Sequence, residues 1–140
     1  MIRLFEFQDL DRIMEIWLEG NLKAHPFIDP DYWKKNFESV KSVLPNAEVY
    51  VCEEGDTVIG FIGLDAEYIE GIFVAEGHRG RGIGHQLIEY VKCKKRLSLH
   101  VYEKNAGAVA FYRAEGFSAQ SCMTEKETGE KEYLMVYQES

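Results

Sequence analysis

The chain has 140 residues, with 24 acidic side chains against 16 basic ones and a net charge of −8. This length suits one domain, over residues 1–140, that buries its own core without disulfides or metals. The acidic balance argues against nucleic acid as the main partner, because phosphate contacts need clustered Lys and Arg, and no apolar run is long enough to span a membrane.

Ile2 to Phe5 reads as a short first strand. Asp9 then offers a cap for a helix to about Glu19, with Leu10, Ile13, Met14, Trp17 and Leu18 on its apolar face and Gly20 as its stop. A second helix starts at Asp29 and Pro30, a capping residue followed by proline in the first helical position. Trp33, Phe37, Val40 and Leu44 form its buried stripe, and Pro45-Asn46 ends it. Glu48 to Glu53 and Thr57 to Leu64 read as a hairpin across Glu54-Gly55-Asp56. After a break at Asp65-Ala66, the run Tyr68 to Val74 reads as a buried strand.

The next stretch organises the chain. Gly80, Gly82 and Gly84 alternate with Arg79 and Arg81, and a helix pattern follows with Leu87, Ile88 and Val91 on one side. Alternate glycines let the main chain turn sharply and leave its N–H groups uncovered. Placed at the positive end of a helix, such groups seat a phosphate. Two other phosphate loops do not fit. No Gly-Lys-Ser/Thr run follows, and the third glycine of a dinucleotide fingerprint falls on His85.

Leu97 to Val101 reads as a strand, with Leu97, Leu99 and Val101 on one side and Ser98, His100 and Tyr102 on the other. Asn105 caps a helix that reaches Glu115 and ends at Gly116, and Phe117–Glu127 with Lys131–Gln138 forms a last hairpin about Thr128-Gly129. Cys52, Cys93 and Cys122 cannot all pair, and the first residues lack the basic-then-apolar pattern of a signal peptide, so a cytoplasmic protein with reduced thiols is expected.

The spacing Arg79-x-x-Gly82-x-Gly84 between strand and helix resembles the pyrophosphate loop of the GNAT family of N-acetyltransferases. The downstream run is similar too: a strand, Asn105 opening a helix, Tyr112 on that helix, then Gly116-Phe117. The resemblance implies an α/β fold with a mixed central sheet of about seven strands flanked by four helices. It also implies acetyl-CoA as co-substrate, no metal, and transfer of the acetyl group to a primary amine on a protein or a small molecule. A non-catalytic acyl-CoA sensor of the same fold is the alternative.

Carried over residue by residue, the resemblance assigns the pantetheine amides to the main chain of Ile72, Phe73 and Val74. It assigns the pyrophosphate to Gly80, Arg81, Gly82, Ile83, Gly84 and His85, with Arg79 or Arg81 adding charge, and gives Asn105 a cofactor contact beside its role as a helix cap. Tyr112 is the implied proton donor, since a phenol of pKa about 10 is protonated at neutral pH. For the base, His100 stands where some relatives carry Glu, and Glu70 competes from the strand before the loop. Both also read as polar residues lining a cleft. His25 and Phe27 lie in a connection that borders the acceptor cleft in the family, although Phe27 reads equally well as a plug between two helices. The run His25-Pro-Phe-Ile resembles small bacterial acetyltransferases in particular.

Overall fold

In the computed structural model, which describes residues 1–139, every apolar run named above finds a place in one seven-stranded sheet or against it. The chain order is β1 (Ile2–Leu4), α1 (Leu10–Ala24), α2 (Pro30–Val43), β2 (Glu48–Glu54), β3 (Thr57–Asp65), β4 (Tyr68–Val74), α3 (Ile83–Val91), β5 (Arg96–Tyr102), α4 (Ala106–Ala114), β6 (Ser118–Thr124) and β7 (Lys131–Gln138). The strands lie in the order β1-β2-β3-β4-β5-β7-β6. All neighbours are antiparallel except β4 and β5, which the α3 crossover joins in parallel.

Strand alternation sorts the apolar side chains into two cores. Val49, Val51 and Phe61 meet Leu10, Ile13, Met14 and Trp17 of α1 and Trp33 of α2. On the opposite face Ile62, Leu64, Leu97, Leu99 and Val101 meet Leu87, Ile88 and Val91 of α3 and Val109 of α4. Each such Leu, Ile or Val contributes about 1.5–3 kcal/mol on leaving water, so helices of modest propensity are held by the sheet they cover.

The caps of α2 and α4 form as the sequence indicates. Asp29 Oδ1 accepts the Asp31 N–H at 2.9 Å, and Asn105 Oδ1 accepts the Ala108 N–H at 3.3 Å. At α1 the expectation fails twice. The helix runs through Gly20 to Ala24, because Gly20 is not a terminus but a point of close approach. A Cβ there would stand 2.9 Å from Phe73 Cδ1 on β4. Asp9 makes no side-chain cap to α1. Its buried carboxylate instead takes the Arg3 guanidinium at 2.9 and 3.0 Å and the Glu6 N–H at 2.8 Å, and the Arg3 bonds hold its pKa below the ordinary carboxylate range.

Strand β4 carries a bulge that an apolar run does not reveal. Leu64 pairs with Ile69 and Gly63 with Gly71, so Glu70 is an extra residue on the β4 side. Ile69 and Ile72, three residues apart, consequently point into the same core. A bulge bends its strand and increases the local twist. Pairing between β4 and β5 is confined to Tyr68 and Ser98, and past that pair the strands separate. None of the three cysteines is paired in a disulfide, and among the described residues no helix is long and apolar enough to cross a membrane.

Candidate active site

The parting of β4 and β5 opens a cleft of about 490 Å³. One wall is β4 from Glu70 to Val74, another is His100, Val101 and Tyr102 of β5. Helix α1 closes one side with Trp17, Gly20 and Asn21, and α4 contributes Ala108 and Tyr112. Without a neighbouring strand, the β5-facing main chain of Ile72, Phe73 and Val74 is open to an extended ligand, apart from the Val74 carbonyl, which accepts from Arg79. Of the residues expected to matter, Glu70, Ile72, Phe73, Val74, Arg79, His100, Asn105, Tyr112 and His25 line this one space.

The glycine loop lies between β4 and α3. Gly80 and Gly82 both have φ near +80°, a conformation that side chains disfavour, and a Cβ at either would meet nothing within 4 Å. The turn thus leaves the N–H groups at the start of α3 uncovered. Gly84 has another duty: a Cβ there would stand 3.1 Å from the Phe111 ring of α4, so this glycine sets helix packing. Ile83 is buried in the core, and His85 turns to Glu115, with Nδ1 2.8 Å from Oε2.

The two arginines are not free charges awaiting an anion. Arg79 donates from Nε to the Val74 carbonyl at 2.9 Å and from Nη2 to Glu19 Oε1 at 2.7 Å, tying the loop to α1. Arg81 donates to Glu54 Oε2 and lies 2.8 Å from His78 Nδ1. Acidic neighbours therefore engage both side chains that were expected to add charge at the pyrophosphate.

Three titratable groups converge on the cleft from different elements. Tyr112 is buried, and burial raises its phenol pKa above the ordinary value, with Tyr68 nearby adding to the effect. It therefore stays protonated at neutral pH. On β5, His100 Nδ1 lies 2.7 Å from the Tyr68 hydroxyl of β4, a bond across the point where the strands part. Burial pushes the Tyr68 phenol up to about 12, with Glu70 adding to the shift, so Tyr68 too keeps its proton. Glu70, on the bulge, has its pKa raised by burial and then by the charge of Asp65.

At the other end, His25 stacks on Trp33 with ring centres 5.1 Å apart and Nε2 3.3 Å from Asn105 Nδ2. The Asn105 oxygen already caps α4, so its nitrogen is the donor and His25 Nε2 the acceptor. Burial lowers the His25 pKa to about 4, leaving the ring neutral. Both ends of the Asn105 amide are thus engaged within the chain. Phe27 packs edge-on against His25 and Tyr102, beneath the Lys104 ammonium. It supports His25 and is not among the residues lining the cleft.

Sequence reasoning missed Gly20 and Asn21, and it placed Trp17 and Trp33 only in the core. The available signal was Gly20-Asn21 inside an otherwise uninterrupted apolar helical pattern, where a glycine marks close approach as readily as a stop. Tyr68 and the bulge at Glu70 were missed as well. Gly71 inside a strand was the sign.

A model of the acetyltransferase (GNAT) family matches residues 10–117. The chain is 36% identical over 140 residues to the peptidyl-lysine N-acetyltransferase YiaC of Escherichia coli (strain K12), covering 98% of this chain and 96% of the relative. It is 30% identical over 118 residues to the peptidyl-lysine N-acetyltransferase YjaB of the same organism, covering 83% and 80%. The solution structure of apo-form YjaB from Escherichia coli matches with a TM-score of 0.87 at 25% identity, over 100% of this chain and 98% of that one. The fold is shared with the PaiA N-acetyltransferase of Thermoplasma acidophilum in complex with coenzyme A, at a TM-score of 0.80 and 18% identity, over 99% and 98%.

Proposed function

Because the chain belongs to the acetyltransferase (GNAT) family and is an acetyl-CoA-dependent N-acetyltransferase, we propose that its acceptor is the side-chain amine of a lysine in a protein or peptide. The observation that carries the reading is the open main chain of Ile72–Val74, facing a cleft lined by His100 and Tyr112. The kinship to two peptidyl-lysine acetyltransferases supports the acceptor class.

In this reading the acetyl thioester supplies the activated carbonyl, and residues 72–74 hold it as an added strand would. The N–H groups from Gly82 to Gly84 seat the pyrophosphate at the start of α3. An N–H of β4 aimed at the thioester oxygen stabilises the charge that develops there. The lysine ammonium sheds one proton to solvent, and the freed nitrogen attacks the carbonyl carbon while His100 takes the second proton that the nitrogen must lose. The C–N bond forms as the C–S bond breaks, and Tyr112 gives its proton to the departing sulfur. Tyr68 holds the imidazole: with Nδ1–H donating to its oxygen, Nε2 keeps a lone pair for the incoming proton. Glu70 adds negative charge at the bulge, which draws the ammonium inward.

The test is transfer from acetyl-CoA to a panel of lysine peptides, polyamines and aminoglycosides, with products mapped by mass spectrometry. Nε-acetyl-lysine peptides are the expected product. Turnover confined to the small amines would overturn the proposal.

A further inference from the structure

Trp17, Glu70, Gly71 and Phe73 line two spaces at once. Beside the cleft, on the same face of the sheet, they bound a second groove of about 620 Å³, whose lining apart from Glu70 and Phe73 has no part in the mechanism above. It runs from the end of α2 across β2 and β3 to the turn between β3 and β4. Its lining is apolar where Val43, Leu44 and Phe61 contribute, and Val43 is left 61% exposed at the rim. Its mouth is acidic, with Glu48, Asp65 and Glu70.

The three carboxylates differ in their partners. Glu48 pairs with Lys94 at 3.1 Å and accepts the Tyr50 hydroxyl at 2.6 Å. Among the described residues, Asp65 and Glu70 form no ion pair. The charge of Asp65 disfavours that of Glu70, adding to the effect of burial in raising the Glu70 pKa. A cation between them would relieve that repulsion, and an aliphatic stem behind the cation would cover the apolar lining. Lysine and arginine side chains have this form: a charged head on an apolar stem.

We propose that the second groove seats a basic residue flanking the acetylated lysine of the acceptor. Its stem lies against Val43 and Phe61, and its charge lies at Asp65 and Glu70. Because Glu70 belongs to both spaces, a peptide with its lysine in the cleft carries a neighbouring side chain directly into the groove. The proposal rests on the peptide-acceptor reading, and it adds a sequence preference to that reading: acceptors with Lys or Arg beside the target lysine.

The experiment compares three peptides that differ only in the flanking residue, Arg, Gln or Glu, with wild type and with Asp65→Lys. For wild type at low ionic strength, kcat/KM falls in the order Arg, Gln, Glu. Each step is about two- to fivefold, as for exposed charge pairs, is expressed mainly in KM, and narrows as salt is raised. Asp65→Lys cancels the charge of the groove and erases the order while the Gln peptide keeps its wild-type turnover, which general structural damage cannot do. Val43→Arg, on the opposite rim, narrows the spread between the Arg and Glu peptides for the same reason should Asp65→Lys fold poorly. Equal turnover of the three peptides by wild type, or a spread unchanged in both variants, overturns the groove while leaving the peptide reading intact. No turnover of any peptide overturns both.

Discussion

The two halves of the cleft are built from different material. The half formed by β4, the glycine loop and α3 offers main chain: open strand edges at Ile72–Val74 and uncovered N–H groups beyond Gly82. The half formed by α1, α2 and β5 offers side chains, with His25 stacked on Trp33 and edge-on to Tyr102, and His100 bonded to Tyr68. Main-chain groups are the same in every residue, so the first half suits a ligand that never varies. Side chains differ from one protein to the next, so the second half is suited to choosing an acceptor. Tyr112 stands where the two halves meet, and it gives the comparison its most severe test.

Tyr112→Phe keeps the ring and its packing on Phe111 and Phe117 but removes the proton. Turnover should fall about 10²-fold or more, with acetyl-CoA affinity and melting temperature unchanged. The raised phenol pKa sharpens the expectation, because no ionisation of Tyr112 should appear in the rate below pH 10. A loss of stability with intact turnover would reassign the hydroxyl to the core.

The same division explains what was legible beforehand. Glycine spacing reports main-chain geometry directly, so the loop, α3 and the strand before it could be read from residues 69–91. The caps at Asp29 and Asn105 are equally local, each depending on a residue and the N–H two or three positions later. What stayed hidden depends on distant partners. Gly20 lies in a helix because Phe73 needs the space, and the two are 53 positions apart in the chain. Glu19 neutralises Arg79, and Glu54 neutralises Arg81, across separations that no periodicity records. The bulge at Glu70, which parts the strands, is visible only in the β3–β4 register.

The side-chain half is tested next through its base. His100→Ala should lower turnover by about 10²-fold or more, and Glu70→Ala by less, with CoA affinity preserved in both. The comparison belongs at a pH where the acceptor amine is already neutral, so that the acid limb of the amine does not mimic that of the base. Tyr68→Phe should have a smaller effect, because the imidazole loses the oxygen that fixes its Nδ1–H tautomer but keeps its place in the cleft. Wild-type activity in His100→Ala at that pH would move the base to Glu70.

Gly82→Val probes the main-chain half. At φ +80° a branched side chain is strained, but nothing within 4 Å blocks it, so the fold should survive. The side chain would instead cover the N–H groups of the loop, weakening CoA binding about tenfold, which corresponds to about 1.4 kcal/mol. Calorimetry showing unchanged affinity in a folded variant would remove the pyrophosphate from this turn.

His25 yields a prediction about stability. Its folded pKa, about 4, lies below the ordinary value of 6.5, so the unfolded chain binds the proton first as pH falls. The stability from burying a neutral ring is fully present above pH 6.5 and is lost between there and about pH 4. The melting temperature of His25→Gln should consequently fall less steeply over that window than that of wild type. Parallel curves would show that the ring is not held neutral in the stack.

The smallest expected effect concerns the one place where the main-chain half carries side-chain charge. Arg81 sits in the loop, yet Glu54 holds its guanidinium. If Arg81 contributes to anion binding, it must leave that carboxylate, and the lost ion pair offsets part of what the anion provides. Exposed pairs of this kind are weak, so the offset is a few-fold in affinity at most. Glu54→Gln should therefore tighten CoA about two- to threefold at low ionic strength, and Arg81→Ala should loosen it by a similar factor. Both effects should vanish as salt shortens the range of the interaction, which separates them from any change in loop shape. If calorimetry finds neither variant different from wild type at low salt, Arg81 serves the fold by tying the loop to the end of β2. The cofactor half would then bind its anion by main chain alone, and the contrast between the two halves would be complete.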